Sequence, residues 1–397
     1  MRVSTIGSYL SGLTAMQQLQ VALDQTQRQI STGRRILSPS DDPIAASRAL
    51  EFRESISRLA QFDRNAGIAE NRLAQEEAVV GSVNNVLQRV RELALQANNS
   101  TQSNETRSLI AVEMREQLDY LVQLANQKDG NGNYLFAGNL EDVEPVTRMG
   151  ASFAYNGDQG QRLIRIGDGR EVADSDPGSD VFFKIRAGNG SFTVAPVGGI
   201  VGTGVVGQGV VVDPTAWDQG TYTVRFIDPD NYEVLDSGGA VIAGGAYQSG
   251  DRIAFAGIEF ALSGAPGAND EFVVRPSPFQ DIFTSIERLA TAVEQPVNDD
   301  LSRAAMNNGV NAGLQNIDQA IGNVLNIRTK IGSRLAVIEN QVDSNSALAL
   351  TIQQTLAGIE DLDYAEAISR LSQQVTTLEA AQQSFVRTQQ LSLFNYL

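Results

Sequence analysis

The fold is decided by residues 335–359, which read LAVIENQVDSNSALALTIQQTLAGI. Apolar residues recur in this stretch on an alternating three-four spacing, and only Asn345 breaks the series. The apolar positions are Leu335, Ile338, Val342, Ala349, Ile352, Leu356 and Ile359. This spacing places a narrow apolar stripe on one face of a helix, and such a stripe is stable only against another helix.

The same pattern occurs near both ends of the chain. The N-terminal set is Ile6, Leu10, Leu13, Met16, Leu19, Leu23 and Ile30, and the C-terminal set is Ile368, Leu371, Val375, Leu378, Phe385, Leu391 and Phe394. A hairpin of these two segments alone buries little area and is marginal as a monomer. We therefore predict that both sets form an assembly interface, because extensive exposed apolar faces usually mark contacts with a partner. The alternative is an intramolecular coiled coil that makes a rigid stalk.

The middle of the chain has a different composition, since residues 140–280 hold 23 of the 36 glycines and 8 of the 11 prolines. Short alternating runs in this region predict strands. These runs are Arg162–Ile166, Val181–Ile185, Thr221–Ile227, Tyr232–Leu235, Arg252–Phe255, Ile258–Leu262 and Phe272–Arg275. The predicted fold class is α+β and multidomain, with a long antiparallel helical bundle or coiled coil built from both chain ends and an inserted β-rich domain.

Three domains follow from these patterns. Residues 1–42 with 361–397 form a terminal helical assembly domain, residues 43–140 with 278–360 a helical core domain, and residues 141–277 a β-rich surface domain. Within the helical core domain, a helix is predicted from about Leu301 to Gly358, with a possible break around Gly309–Gly313.

The two linkers next to the terminal domain carry helix end signals. Gly33 suits the residue after a helix, while Asp42 and Pro43 suit the N-cap and the first position of the next one. Asp363 with Glu366 fits a capping box that starts the last helix. If the ends pair antiparallel, the linkers lie at one level, with Arg34 and Arg35 facing Glu360 and Asp361.

Composition excludes several functional classes. The chain has no cysteine and no histidine, which removes disulfides, the usual zinc ligands and the commonest general base. We therefore predict no enzyme, no cofactor and no metal site. The net charge of −17 disfavours nucleic acid and anionic membranes as partners. No cleavable signal peptide and no run as long as a membrane span is visible.

At six places the chain resembles the flagellin family. The matching segments are Gln29–Ile36 (QISTGRRI), Ser38–Ser47 (SPSDDPIAAS), Leu87–Ala94 (LQRVRELA), Gly132–Gly138 (GNYLFAG), Asp361–Ala365 (DLDYA) and Leu391–Leu397 (LSLFNYL). They lie in the predicted helical regions at the two ends of the chain and cover most of them. The β-rich region resembles the family only in being a β-rich insertion, without matching sequence segments. The segment around Asp42, with Pro43 next to it, and the Phe394-Asn395-Tyr396-Leu397 ending resemble hook–filament junction members more than filament-forming flagellins.

This resemblance implies a structural protein of the bacterial flagellum that joins the hook to the filament. It implies export through the flagellar type III apparatus to the cell exterior without a cleaved signal peptide. The implied partners are further copies of itself in a ring, the first hook-associated protein on the hook side, flagellin on the filament side and an export chaperone at the C-terminal helix. Filament-forming flagellin is the alternative, and a helical-stalk adhesin or tail-like fibre protein is an alternative of another class.

Three further residues match family positions. Arg89, Leu93 and Glu113 correspond to positions through which an innate immune receptor recognises flagellins. The alternative interpretation is an arginine–glutamate face that packs between subunits, and we favour this second interpretation.

Overall fold

The computed structural model describes residues 5–199 and 201–390, and the chain divides into two compact units. The terminal unit comprises residues 1–64 and 340–397, and the central unit comprises residues 65–339. The described α-helices are α1 Thr5–Thr32, α2 Pro43–Ala97, α3 Asn104–Ala125, α4 Ile282–Glu294, α5 Asp300–Glu360 and α6 Tyr364–Gln390. Two of them, α2 and α5, contribute residues to both units.

Short strands fill the chain between α3 and α4. They are β1 Val146–Met149, β2 Ser152–Tyr155, β3 Leu163–Gly167, β4 Arg170–Ala173, β5 Ile185–Arg186, β6 Phe192–Pro196, β7 Val205–Val211, β8 Tyr222–Asp228, β9 Asn231–Leu235, β10 Val241–Ala246, β11 Arg252–Phe255, β12 Ile258–Ser263, β13 Glu271–Pro276 and β14 Phe279–Gln280. The predicted α+β class, with helices from both chain ends and a β-rich insertion, is confirmed.

Two antiparallel sheets form the main β structure. The larger has the strand order β10-β9-β8-β13-β6, and the smaller has the order β11-β12-β7. They share one hydrophobic core, in which Phe226, Phe260 and Phe272 are fully buried. The ring centroids of Phe226 and Phe272 lie 6.1 Å apart, in an edge-to-face arrangement that aromatic pairs prefer.

Helix α5 covers the free edge of strand β7 with side-chain amides. The Asn308 side chain accepts the Val206 N–H at 2.8 Å and donates to the Gly204 carbonyl at 2.9 Å. The Asn311 amide donates to the Val206 carbonyl at 2.9 Å. An exposed strand edge is a template for unwanted pairing. These amides replace a neighbouring strand and attach the sheet to the helix.

One predicted strand is wrong. The sequence predicts an extended segment over residues 181–185, but a short π-helix spans Ser179–Phe183, and only Ile185 of the segment lies in a strand, β5. The Phe182 ring packs at 5.2 Å from the Phe136 ring, and the Asn323 amide donates to the Val181 carbonyl at 3.0 Å. Both partners are distant in sequence, so the local alternation could not reveal them.

The predicted break in the long helix is also wrong, because α5 continues through Gly309 and Gly313. These glycines permit close packing against α4. A Cβ atom on Gly309 would lie 2.6 Å from the Ala292 Cβ, and one on Gly313 would lie 2.6 Å from a Leu289 methyl carbon. The glycines serve helix–helix contact here and do not end the helix.

Gly309→Ala is therefore expected to destabilise the protein. The added methyl group forces α4 and α5 apart, which costs about 1–3 kcal/mol and outweighs the helix propensity that alanine adds. Gly322 provides a matched control, because nothing lies within 4 Å of its Cβ direction. Gly322→Ala should stabilise the protein by up to about 1 kcal/mol. Urea unfolding of both variants measures the change in the free energy of unfolding, which should fall for Gly309→Ala and rise for Gly322→Ala. Equal changes in the two variants would contradict the close-packing explanation.

A buried network of ion pairs joins helix and loops in the central unit. Arg72, which is 5% exposed, contacts the Asp129 carboxylate at 3.0 Å and the Glu141 carboxylate at 3.1 Å. Arg162 pairs with Glu141 at 3.0 Å and also with the fully buried Asp174. Buried charges of this kind persist only when they are paired. The network fixes the loops that lead from α3 into the β-rich region.

Next to this network lies a buried carboxyl group, that of Glu76 on α2. Its Oε1 accepts the Asp176 N–H at 3.0 Å, and the Asp176 carboxylate binds the Arg334 guanidinium through two contacts of 2.9 Å. Burial, with the Asp176 charge as a second cause, raises the pKa of Glu76 well above its ordinary value. The hydrogen bond from Asp176 and the charges of Arg334 and Arg72 act in the opposite direction.

Candidate assembly interface

The described residues predicted to form an interface lie in the terminal unit, where α1 and α6 form an antiparallel pair. At one end, the Tyr9 and Phe385 rings have centroids 5.3 Å apart. A Cβ atom on Gly12 would lie 3.1 Å from the Phe385 ring, so the small residue lets the aromatic side chain approach α1. At the other end, the Tyr364 hydroxyl would lie 2.9 Å from a Cβ on Gly33.

The hairpin covers only part of its apolar residues. Met16, Leu19, Leu23, Ile30, Leu371, Leu378 and Phe385 are partly buried. Leu10, Leu13, Ile368 and Val375 are exposed, at 54%, 37%, 55% and 38%. Ile6 lies in α1 but its side chain is outside the described residues, as are Leu391 and Phe394. A two-helix pair cannot bury a stripe on both of its faces, so apolar surface remains available for a partner.

Sequence reasoning missed several exposed apolar residues of the same two helices. Tyr9, Val21, Tyr364 and Val386 are 46%, 65%, 51% and 50% exposed. They lie outside the three-four series on which the prediction depended. They enlarge the accessible apolar surface of the terminal unit.

The polar residues that interrupt the stripes are buried and hydrogen-bonded. Thr26 is 2% exposed, and its hydroxyl donates to the Ala22 carbonyl at 3.0 Å. Asn345 is 3% exposed, and its amide donates to the Asp63 carboxylate at 3.1 Å. The Thr26 bond lies within α1, whereas the Asn345 bond joins α5 to α2. Asn345 therefore fixes the register of these two helices, because a shift between them leaves a buried amide without its partner.

The two linkers of the terminal unit are joined to each other, and we call this contact of residues 33–35 with 359–362 the linker clasp. Arg34 and Asp361 form an isolated antiparallel bridge. The Leu362 N–H donates to the Gly33 carbonyl at 3.0 Å, and the Arg35 N–H donates to the Glu360 carbonyl at 2.7 Å. The sequence placed the two arginines opposite the two acidic residues, but the contact is made by the backbone.

Arginine side chains complete the clasp. The Arg35 guanidinium donates to the Ile359 carbonyl at 2.8 Å, at the C-terminal end of α5 where carbonyl groups lack helical partners. The Glu360 carboxylate pairs at 2.6 Å with Arg53. Gly33 follows α1 directly and has φ +70°, a conformation in which a side chain would be strained.

Aspartates cap the helices that follow the linkers. Asp42 accepts the Ala45 N–H at 3.0 Å, and Pro43 is the first residue of α2. Asp363 accepts the N–H groups of Ala365 and Glu366 at 2.9 and 3.1 Å. A capping box also needs a hydrogen bond from the Asp363 backbone N–H to the Glu366 carboxylate. This bond is absent from the described residues, where the Glu366 carboxylate pairs with Arg370 at 2.9 Å. The expectation for Glu366 is therefore corrected to a pair within α6.

The predicted face of Arg89, Leu93 and Glu113 is only partly at the surface. Arg89 and Glu113 are exposed and form an ion pair of 2.6 Å between α2 and α3. Leu93 is 1% exposed and belongs to the helical core of the central unit, which corrects its assignment to a surface face. The match to family positions suggested a shared face, but Leu93 lies in the core.

Charge is distributed unequally between the two units. Residues 1–64 and 340–397 hold 10 of the 30 basic and 12 of the 47 acidic residues, which leaves 20 basic and 35 acidic residues in the central unit. The terminal unit is therefore close to neutral, and the central unit carries most of the negative charge. Low net charge favours close packing of identical copies, because like charges repel.

Comparisons with known proteins identify the helical regions. Residues 3–141 match the bacterial flagellin N-terminal helical region, and residues 314–397 match the bacterial flagellin C-terminal helical region. Among the described residues, none of the helices has the length and apolar character needed to cross a membrane.

Relatives with the whole architecture carry the name hook-associated protein 3. The crystal structure of that protein from Legionella pneumophila has a TM-score of 0.74 and 30% identity, covering 78% of this chain and 98% of its own. Flagellar hook-associated protein 3 of Escherichia coli is 24% identical over 394 residues, 99% of both chains. Flagellin 1 of Proteus mirabilis is 32% identical over 147 residues, which cover 36% of this chain and 40% of that protein. The resemblance inferred from six short segments is confirmed, and the chain belongs to the flagellin family as one of its hook-associated protein 3 members.

Proposed function

We propose that this chain is a structural protein of the bacterial flagellum that joins the hook to the filament. The observation that carries the proposal is the α1–α6 pair, whose exposed Leu10, Leu13, Ile368 and Val375 offer apolar surface beyond the contacts inside one copy. The full-length similarity to hook-associated protein 3 supports it, since the similarity to flagellin 1 covers only about a third of the chain.

The proposed contact is helical packing between terminal segments of neighbouring copies. The residues assigned to it are Ile6, Leu10, Leu13, Met16, Leu19, Leu23, Ile30, Ile368, Leu371, Val375, Leu378, Phe385, Leu391 and Phe394. The near-neutral charge of the terminal unit supports a closed ring of copies. On the hook side the ring contacts the first hook-associated protein, and on the filament side it contacts flagellin.

The domain boundaries predicted from the sequence belong to this proposal. Residues 1–42 with 361–397 make the assembly contacts, and the linker clasp lies at their border with the helical core of residues 43–140 and 278–360. Residues 141–277 form a surface domain. The Arg89–Glu113 ion pair is exposed between α2 and α3, and we assign it to packing between subunits.

Export and location complete the proposal. The chain leaves the cell unfolded through the flagellar export apparatus, and a chaperone binds its C-terminal helix beforehand. A chain with no cysteine forms no disulfide that would obstruct passage through a narrow channel. We assign no catalysis and no cofactor to it, and neither nucleic acid nor membrane as a partner.

A reconstitution experiment tests the function. A deletion mutant that lacks its junction protein assembles hooks but releases flagellin as monomers, and purified protein is added to these cells. Electron microscopy should then show filaments of flagellin growing from the hooks. Filaments composed of the added chain alone would instead identify a filament-forming flagellin. Hooks that stay bare would overturn the assignment to the junction.

A further inference from the structure

A cleft of about 410 Å³ lies in the β-rich part of the central unit, and it shares no residue with the proposed assembly interface. Its walls include Arg186 from β5, the turn before β6, the last residue of β13 and the segment after β7. The side chains that matter are those of Arg186, Ser191, Pro214, Trp217, Gln219 and Pro276. The volume is in the range that small-molecule sites occupy.

The aromatic wall of the cleft is Trp217, the only tryptophan of the chain. Its ring centroid lies 5.9 Å from the Phe192 ring and 6.1 Å from the Tyr222 ring, so two aromatic neighbours hold it in place. The backbone N–H of Trp217 also donates to the Asp213 carbonyl at 3.2 Å. The side chain is only partly buried and therefore presents apolar surface to the cleft.

The cationic wall is Arg186. Its guanidinium donates to the Ser277 carbonyl at 3.1 Å and stacks at 4.5 Å from the centroid of the Phe279 ring. Within the part of the chain that the structure describes, no carboxylate lies within 4 Å of this guanidinium. An arginine fixed by two contacts keeps most of its five N–H donors for a ligand.

The rest of the lining offers neutral hydrogen-bonding groups and no carboxylate. Gln219 lines the cleft with φ +58°, a left-handed conformation that is unfavourable for a residue other than glycine. Strain of this kind concentrates at binding sites, where the surrounding structure compensates for it. Ser191 is an exposed residue that also lines the cleft.

We propose that this cleft binds a carboxylate-bearing pyranose, the hexuronate unit of an acidic polysaccharide. The apolar C–H face of the sugar ring lies on the Trp217 ring, since an indole combines a large apolar face with a polar edge. The sugar carboxylate takes the forked N–H donors of Arg186, a geometry that guanidinium groups match well. The Gln219 amide and the Ser191 hydroxyl serve the ring hydroxyl groups.

The net charge is −17, but no carboxylate lines the cleft. Two carboxylates adjoin it, those of Asp213 and Asp218, which are chain neighbours of Pro214 and Trp217. Asp213 accepts the Thr215 hydroxyl at 2.6 Å, and Asp218 accepts the Tyr222 hydroxyl at 2.7 Å. Their repulsion weakens binding of an acidic sugar, and salt screens it over a distance of about 10 Å at 0.1 M. A sugar without a carboxylate would leave the strongest donor of the site unused. The site would thus select acidic over neutral sugars, independently of any role in joining hook and filament.

The single tryptophan makes the cleft directly observable. The full-length protein is titrated with a galacturonate trimer at constant ionic strength, and Trp217 fluorescence is recorded. A saturable change in fluorescence is expected with the acidic trimer. The neutral galactose trimer should bind about tenfold more weakly, because it lacks one hydrogen-bonded contact with a charged group. Equal responses to both sugars, or no saturable response, would overturn the proposal.

Two arginine variants test the assigned contact. Arg186→Gln should weaken binding of the acidic trimer by about tenfold or more. Arg186→Lys keeps the charge but not the fork, and it should bind with intermediate affinity. Arg170→Gln, an exposed arginine of β4 outside the cleft, is the matched control and should bind as the unchanged protein does. Binding that is insensitive to Arg186→Gln would contradict the site, provided that circular dichroism shows all variants folded.

Discussion

Phe385→Asp is expected to abolish junction formation while the isolated protein stays folded. The Phe385 ring packs at 5.3 Å from the Tyr9 ring and against Gly12, so a carboxylate there lies in the apolar seam between α1 and α6. Placing an unpartnered charge in such a seam costs at least about 2 kcal/mol. The reconstitution assay should then show bare hooks. Leu378→Asp, at a partly buried position on the same helix, should have the same effect.

The circular dichroism of the monomer distinguishes assembly from folding. Phe385 belongs to the terminal unit, so the main unfolding transition of the central unit should be retained. Glu379→Gln changes α6 by one charge at an exposed position and should still restore filaments. If Phe385→Asp instead lowers the main transition of the monomer, the aromatic seam stabilises the folded monomer and is not an assembly contact.

Glu76→Gln is expected to stabilise the protein at neutral and alkaline pH. In the unfolded chain Glu76 ionises near its ordinary pKa of 4.5, whereas burial keeps the pKa well above that value in the folded state. Above pH 4.5 the folded state therefore holds a proton that the unfolded state has lost. Stability falls with rising pH through this window, by up to about 1.4 kcal/mol for each pH unit.

Glutamine removes this dependence because it cannot ionise, yet its carbonyl oxygen can still accept the Asp176 N–H. Denaturant unfolding between pH 5 and 9 should show a shallower decline for Glu76→Gln than for the unchanged protein. Glu70→Gln, an exposed position on the same helix, is the control and should keep the original slope. If the free energy of unfolding of Glu76→Gln and of the unchanged protein falls with pH in parallel, the explanation is wrong.

The sequence predicted the helices of the terminal unit because their periodicity and their caps are local signals. Six of the seven predicted strands coincide with observed ones over most of their length for the same reason. Errors arose where a distant contact decides the outcome. Gly309 looks like a helix breaker until Ala292 is seen beside it. Phe182 looks like a strand residue until Phe136 and Phe283 surround it.

The candidate assembly interface was also predictable only in part. Spacing gave the apolar residues of α1 and α6, but it could not say which of them one copy already covers. Leu371 is partly buried and Ile368 is 55% exposed, although both follow the same series. The Arg72 network has no sequence signal, since its partners Asp129, Glu141 and Asp174 come from separate loops. The Trp217 cleft likewise combines residues that are scattered along the chain.

The linker clasp has a consequence for the order in which the molecule is completed. It bonds Gly33, just after the first helix, to Leu362, just before the last one. In the export that we propose, a chain delivered from its N-terminus would release α1 before its partner α6. Any copy that is cut short before Tyr364 has no second helix for the hairpin. Because the hairpin joins both extremities, we expect a truncated copy to lack the paired surface and to be excluded from the proposed junction.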